Sequence, residues 1–173
     1  MNDIVTFYYN PMSRGRLVHW ALEEVGAKYE IKFLDWKTNQ QKSPEYLKIN
    51  PMGKIPAIVH RNTVVTETTA ICMYLADAFP QNNLAPKITD PERGSYYRWI
   101  LFMANCLEPA VTDKNFPRVK EMASGQLGYG SYEDTVRVLE GAVKDGYLVG
   151  GKFSMADLCM SSVLGWYFFQ KLM

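Results

Sequence analysis

Apolar and polar positions in the first third of the chain follow two different periods. Residues 4–9, IVTFYY, are β-branched and aromatic, which predicts a buried strand. From Val18 to Val25 apolar residues recur at helical spacing and Gly26 follows as a stop, so a helix is predicted from about Ser13 to Val25. Residues 29–34, YEIKFL, predict a second strand. The chain therefore begins with a β–α–β unit.

Shorter elements follow. A short helix is predicted near residues 44–49. Two β-like runs, Pro56–His60 and Thr63–Val65, are separated by Arg61-Asn62, which predicts a hairpin. Apolar residues at helical spacing then predict a helix from about Glu67 to Phe79. The order of the first domain is thus βαβ–ββα.

Pro56 stands at the beginning of one of these apolar runs, in the stretch INPMGKIPAIV. A proline has no main-chain N–H to donate to a sheet, so it is kept out of central strands and tolerated at a strand start. We therefore expect the strand to begin at this residue.

The second half of the chain contains no further strand pattern. Residues 80–91, PQNNLAPKITDP, are rich in Pro and Asn and predict a linker between a domain of residues 1–79 and a helical domain of residues 92–173. Two apolar stripes at helical spacing predict its first helices: Tyr97, Ile100, Leu101 and Ala104, then Val136, Leu139 and Val143.

The last element has a strong start signal. Ser154 and Asp157 have the spacing of a capping box, and Phe153 and Leu158 stand where a hydrophobic staple forms. The segment that follows, LCMSSVLGWYFF, is apolar nearly all round, which predicts a buried central helix.

Composition and charge exclude several classes of protein. With 47% hydrophobic and 21% charged residues among 173, the chain has the composition of a folded globular protein. A net charge of +1 without a basic block argues against nucleic-acid binding. No apolar run approaches the ~18 residues that span a bilayer, and the N-terminus lacks a basic signal region, so we expect a cytoplasmic protein without membrane association.

Cysteine and histidine are too few and too scattered for a metal centre or a disulfide framework. Cys72, Cys106 and Cys159 are widely spaced in apolar helical sequence, which predicts buried thiols. His19 and His60 are the only histidines. We therefore expect neither zinc nor another metal.

Three segments carry a resemblance to a known family: INPMGKIPAI at 49–58, ETTAICMYLAD at 67–77 and KFSMADLCMSSVLGW at 152–166. In this order and spacing the chain resembles the soluble (cytosolic) glutathione transferases. The segment YYNPMSRGR, followed by a Trp-containing first helix, is most similar to bacterial members. The resemblance implies a thioredoxin-like α/β domain followed by an all-α helical bundle, usually as a homodimer. It also implies that glutathione is the co-substrate, and that its thiolate attacks a small hydrophobic electrophile.

Such an activity requires the site to stabilise a thiolate, because an ordinary cysteine thiol has a pKa of roughly 8.5. The N-terminus of the first helix is the expected source, with Ser13 donating a hydrogen bond to the sulfur. Two alternatives remain: Ser13 is only the helix cap, or Tyr9 acts instead, with Tyr8 less well placed. The active cysteine of the bacterial beta-type pattern falls at Arg14, which argues against a covalent cysteine mechanism. Arg14 and Arg16 either add positive potential or are solvated.

The resemblance also assigns residues to the rest of the peptide. Glu67 pairs with the γ-glutamyl ammonium and Thr68 holds its carboxylate, the alternative being ordinary helix capping. A cis peptide bond before Pro56 turns the main-chain groups of Ile55 outward, where they pair with the cysteinyl backbone. The glycyl carboxylate is assigned to two lysines, Lys54 and, less directly, Lys42.

Other assignments are broader. The electrophile pocket draws on four residues unless these are core: Met103, Asn105, Tyr97 and Trp99.

The chain ends at Met173, just beyond the capped helix, where family members generally continue, so the helical domain is expected to be shortened. Alternative functions are a noncatalytic protein-binding module of the stringent starvation type, or a glutathione-dependent isomerase, dehalogenase or peroxidase.

Overall fold

A computed structural model describes residues 3–120, 122–144 and 146–173. The chain divides into two compact units, residues 1–84 and 85–173. In the first unit the order βαβ–ββα is confirmed, with 3₁₀ turns at Gln40–Lys42 and Pro80–Asn82. Its elements are β1 Val5–Tyr9, α1 Gly15–Glu24, β2 Tyr29–Phe33, α2 Pro44–Leu47, β3 Ala57–His60, β4 Thr63–Thr66 and α3 Thr68–Ala78.

The four strands form one mixed sheet in the order β2-β1-β3-β4. Strands β1 and β2 are parallel, as the helical crossover α1 requires, whereas β1–β3 and β3–β4 are antiparallel. Ala57 at the start of β3 pairs with Tyr8 on one side and with Thr66 on the other. The C-terminal ends of β1 and β4 therefore lie beside the N-terminal end of β3.

The two faces of this sheet carry different clusters, because successive side chains of a strand alternate between faces. Val5 and Phe7 of β1 are completely buried, on the face where Ile58 of β3 is their neighbour. On the other face Tyr46 of α2 packs with Leu34, Ala57 and the partly buried Tyr8, Ile49 and Ile55. The second of these faces is thus tied to α2.

The predicted hairpin is confirmed, and its first strand begins one residue later than predicted. Strand β3 begins at Ala57, so Pro56 immediately precedes the ladder and its missing N–H costs no strand hydrogen bond. Arg61 and Asn62, which join β3 to β4, have φ angles of 49° and 63°. Positive φ at both central residues is what a type I′ hairpin turn needs.

The described part of the second unit is helical. Its elements are α4 Arg93–Phe102, a π-helical turn Met103–Leu107, α5 Glu108–Asn115, a 3₁₀ turn Ser124–Gln126, α6 Tyr132–Val143 and α7 Met155–Phe169. None of the helices among the described residues has both the length and the apolar character to cross a bilayer.

The buried face of α4 differs from the predicted one. Ile100 is buried as expected, but Tyr97 and Leu101 are 36% and 47% exposed. The buried residues of α4 are instead Arg93, Tyr96, Trp99 and Ile100, and the stripe continues into the π-helical turn with Met103 and Leu107. This set has helical spacing as well, so the sequence contained two overlapping apolar stripes and the periodicity alone did not decide between them.

The π-helical turn was not predicted, and Pro109 explains it. In a regular helix residue 109 would donate its N–H to the carbonyl of Asn105, and a proline has no N–H and clashes there. The chain widens just before this point: Glu108 donates its N–H to the carbonyl of Met103, five residues back. The two α-helices on either side remain continuous through the wider turn.

The capping box of α7 is confirmed. The Asp157 carboxylate accepts hydrogen bonds from the Ser154 N–H at 2.9 Å, from the Ser154 hydroxyl at 2.7 Å and from the Leu148 N–H at 2.8 Å. Asp157 is only 7% exposed, so these bonds are shielded from water. One carboxylate therefore joins the start of α7 to the segment before it.

The expected burial of α7 holds for its first half and, beyond it, for Val163 and Tyr167. Leu158, Cys159, Met160 and Val163 are buried, whereas Trp166, Phe168 and Phe169 near the end of the helix are 43–77% exposed.

Cys72 and Cys159 are buried, as predicted. Cys106, in the π-helical turn, is the exception: it is partly exposed, although burial still raises the pKa of its thiol.

Replacing the buried carboxylate should cost more than replacing the cap hydroxyl. Asp157→Ala leaves two main-chain N–H groups without a partner, and we expect it to lower the free energy of unfolding by about 3 kcal/mol. Ser154→Ala removes one hydroxyl and should cost about 1 kcal/mol. Urea denaturation followed by circular dichroism measures both. Equal losses, or none for Ser154→Ala, would refute this account of the cap.

Candidate functional site

Strand register brings most of the predicted site residues of the first unit to one edge of the sheet. Tyr8, Ala57 and Thr66 lie side by side across β1, β3 and β4. The residue one step beyond each of them is Tyr9, Pro56 and Glu67, respectively. The loop into α1, the turn before β3 and the start of α3 therefore adjoin one another at this edge.

The loop from β1 to α1 is organised by Asn10, which is 5% exposed. Its side chain donates to the carbonyl of Leu34 at 2.8 Å and accepts from the N–H of Met12 at 2.9 Å. Its own carbonyl accepts the Ser13 hydroxyl at 2.7 Å and the Ser13 N–H at 3.0 Å. Asn10 therefore fixes where α1 begins.

The Ser13 hydroxyl caps the first N–H of α1, although the N-cap residue itself is Arg14. The hydroxyl oxygen of Ser13 accepts the N–H of Gly15 at 2.9 Å, while its proton is donated to the carbonyl of Asn10. A hydroxyl has a single proton to donate. Donation to a thiolate would therefore require the Ser13 hydroxyl to turn away from Asn10.

Tyr9 lies beside the same cap. A Cβ atom on Gly15 would lie 2.8 Å from both the Ser13 Oγ and the Tyr9 Cδ2, so the hydroxyl and the ring flank one bare main-chain position. The Tyr9 ring also packs against Phe7 and His19, with centroids 5.0 and 5.4 Å away. The two residues proposed to act on the sulfur are thus neighbours, and Gly15 makes room for both.

Tyr8 faces the other side of the sheet. Its ring packs against that of Tyr46, with centroids 5.3 Å apart, in the cluster beneath α2. Tyr8 was the less well placed of Tyr8 and Tyr9 for contact with a thiolate, and its position on this face agrees with that expectation.

The electrostatics at the start of α1 favour an anion. Free main-chain N–H groups and the positive end of the helix dipole point outward from a helix N-terminus. The first turn of α1 contains no acidic residue, and both Arg14 and Arg16 are exposed beside it.

The peptide bond between Ile55 and Pro56 is cis, as expected. No hydrogen bond joins the main-chain N–H or C=O of Ile55 to another described residue. Its side chain packs into the cluster of Leu34, Tyr46 and Ala57. Ile55 is thus held by its side chain while its main chain stays available for hydrogen bonding.

Both candidate lysines lie near this turn. The Lys42 ammonium donates to the Met52 carbonyl at 2.9 Å, and Lys54 is exposed. Gly53 has a φ of +59°, and a Cβ there would lie 2.6 Å from the Gln41 carbonyl and 2.8 Å from the Lys42 ammonium. Glycine is therefore needed at this position on two grounds, conformation and space.

Glu67 has an unusual backbone. It is the N-cap of α3 with φ 66° and ψ 121°, a conformation that L-residues seldom adopt, and its side chain is exposed and makes no cap hydrogen bond. Thr68, the first residue of α3, is partly buried. Backbone strain of this kind is concentrated at ligand-binding and active sites, where the surrounding structure maintains it.

The residues expected for an electrophile pocket belong to the second unit. Met103 and Trp99 are buried and serve as core, whereas Tyr97 and Asn105 are exposed. Among the described residues no group of three or more His, Cys, Asp or Glu side chains is arranged to hold a metal ion.

Four residues that organise the site were missed by sequence reasoning: Asn10, Gly15, Tyr46 and Asn50. Tyr46 falls within the short helix predicted near residues 44–49 and Asn50 within the stretch INPMGKIPAIV, but the sequence assigned neither of them a role. A turn-forming asparagine placed directly before a proline is the one signal that points to two of them, Asn10 and Asn50.

Comparison with known proteins agrees with this geometry. The chain matches the family models "Glutathione S-transferase, N-terminal domain" over residues 4–77 and "Glutathione S-transferase, C-terminal domain" over residues 132–172. It is 27% identical to the glutathione S-transferase GstA of Escherichia coli O157:H7, over 95% of this chain and 83% of that protein.

Two solved structures are similar throughout. A glutathione transferase from Methylococcus capsulatus is 30% identical with a TM-score of 0.75, covering 96% of this chain and 84% of that one. The glutathione transferase URE2P6 from Phanerochaete chrysosporium, in complex with oxidized glutathione, is 26% identical with a TM-score of 0.79, covering 99% and 82%.

The strained backbone at position 67 yields a stability prediction. Glu67→Gly and Glu67→Ala both remove the carboxylate, but only glycine adopts the positive φ without penalty. We expect Glu67→Gly to be more stable than Glu67→Ala by about 1 kcal/mol. Thermal and urea unfolding of the pair measure the difference. If the alanine variant proves equally stable or more stable, the backbone at this position is not strained.

Proposed function

Because the chain belongs to the glutathione S-transferase family, we propose that it binds glutathione and activates its thiol for attack on a small hydrophobic electrophile. The observation that carries the proposal is the single sheet edge that joins three parts: the start of α1, the Ile55 main chain and the start of α3. These parts suit the sulfur, the peptide backbone and the γ-glutamyl group, respectively.

The peptide would be held by charge and by main-chain pairing. In the proposal, Glu67 accepts the γ-glutamyl ammonium and the Thr68 hydroxyl and N–H hold the adjoining carboxylate. The N–H and C=O of Ile55 pair with the cysteinyl backbone as an added strand would. Lys54 and Lys42 meet the glycyl carboxylate, and neither ammonium is in an ion pair with a described acidic residue.

The reaction then needs a thiolate. Lowering the pKa of the bound thiol by two units corresponds to about 2.7 kcal/mol in favour of the charged form. We assign this stabilisation of the thiolate to the N-terminus of α1 and to Ser13. When glutathione binds, the Ser13 hydroxyl stops donating to the Asn10 carbonyl and donates to the sulfur instead. The thiol proton passes to solvent, and the sulfur lone pair forms a bond to the electrophilic carbon as the leaving group departs with its electron pair.

Kinetics of two variants test the assignment. A hydrogen bond to a charged group contributes about 1.5–3 kcal/mol, so Ser13→Ala should lower kcat/KM for conjugation of glutathione to an activated aryl halide by roughly 10- to 100-fold. Tyr9→Phe should change it less than threefold. Isothermal calorimetry with glutathione accompanies the assay.

Ser154→Ala is the matched control, because it removes a cap hydroxyl from a helix of the second unit, and its kcat/KM should match the wild type. No binding at millimolar glutathione would reject the proposed function and favour the protein-binding module. Binding with undiminished turnover in Ser13→Ala would move the catalytic assignment to Tyr9 or to main-chain amides.

A further inference from the structure

The carbonyl of Lys54 is held by two side chains that no glutathione atom needs to touch. It accepts the Tyr46 hydroxyl at 2.5 Å and the Asn50 side-chain amide at 2.8 Å. Tyr46 and Asn50 are 2% and 3% exposed, so both donors act away from water. Lys54 itself keeps an exposed side chain.

Fixing this carbonyl also fixes a neighbouring donor. The peptide group is planar, and in a trans peptide the C=O of one residue and the N–H of the next point in opposite directions. The bond between Lys54 and Ile55 is trans, whereas the following one is cis. Two donors that hold the Lys54 carbonyl inward therefore aim the Ile55 N–H outward.

The remaining contacts hold this peptide group in place. Asn50 accepts the Met52 N–H on its side-chain oxygen at 3.1 Å and the Gly53 N–H on its own carbonyl at 2.8 Å, which closes the turn that leads to Lys54. Beyond the peptide group, the Ile55 side chain packs in the same cluster as the Tyr46 ring.

Tyr46 is a dependable donor. Its main-chain N–H donates to the Ser43 hydroxyl at 3.2 Å, and this bond holds Tyr46 in the short helix α2. Its ring packs on that of Tyr8. Burial raises the pKa of Tyr46 to about 12, so its hydroxyl stays protonated at any pH at which the protein works.

We propose that Tyr46 and Asn50 are positioning residues that aim the Ile55 N–H at the peptide ligand and so set glutathione affinity without acting on the sulfur. This inference rests on the proposed function. It assigns to two buried side chains an effect on binding that neither exerts by direct contact.

Tyr46→Phe tests it with the least disturbance, because the ring and its packing remain. We expect the Kd for glutathione to rise about 3- to 10-fold and the KM for glutathione to rise in parallel. At saturating glutathione, kcat should fall less than twofold.

Asn50→Asp is the second variant, since it keeps the acceptor for the Met52 N–H but turns an oxygen toward the Lys54 carbonyl. It should weaken binding at least as much.

Tyr74→Phe is the matched control. It removes a tyrosine hydroxyl from the same unit, one that bonds the His60 ring at 2.9 Å rather than Lys54. Its Kd should stay within twofold of the wild type, and circular dichroism shows that each variant is folded. If Tyr46→Phe fails to fold, the Kd of Asn50→Asp decides in its place.

The outcomes separate the two claims. Absence of glutathione binding by the wild type rejects the proposed function and this inference with it. Wild-type binding together with an unchanged Kd in folded Tyr46→Phe and Asn50→Asp rejects the inference alone. So does an equal loss of affinity in Tyr74→Phe, or a fall in kcat at saturation with no change in Kd.

Discussion

Pairing of Ala57 with two strands at once is the constraint on which the first unit depends. It joins Tyr8 of β1 and Thr66 of β4 through the first residue of β3. A slip of one residue in either ladder would turn every side chain of the strand to the opposite face and separate the loop into α1 from the start of α3. The buried side chains on the two faces, Phe7 and Ile58 on one and Tyr46 with Ala57 on the other, oppose such a slip.

Around this edge, main-chain groups carry much of the proposed chemistry. A helix N-terminus suits an anion, and the free N–H and C=O of Ile55 suit an extended peptide. Side chains have mainly supporting roles: Asn10 fixes the start of α1, and Tyr46 with Asn50 fixes the Lys54 carbonyl. Gly15 leaves room for the Ser13 hydroxyl and the Tyr9 ring, and Gly53 leaves room for the Gln41 carbonyl and the Lys42 side chain.

Sequence patterns predicted the elements of the first unit well, because most of its helices and strands are apolar runs with a Gly, Pro or Asn at one end. The carboxylate cap of α7 followed from a motif with specific local geometry, whereas the cis bond before Pro56 was implied by the family resemblance. The buried face of α4 was predicted wrongly, because Tyr97 and Tyr96 begin two overlapping stripes and only packing selects one. Hydrogen bonds such as that from Tyr46 to Lys54 join residues eight positions apart through a turn, and no periodicity predicts them.

The central claim is that the start of α1 stabilises a thiolate on bound glutathione. Ultraviolet difference spectroscopy of the glutathione complex, titrated against pH with S-methylglutathione as the blank, measures the pKa of that thiol directly. The account predicts a value about one to two units below the ~8.5 of an ordinary cysteine thiol. A bound thiol that titrates at its ordinary pKa would contradict the account, even if glutathione binds.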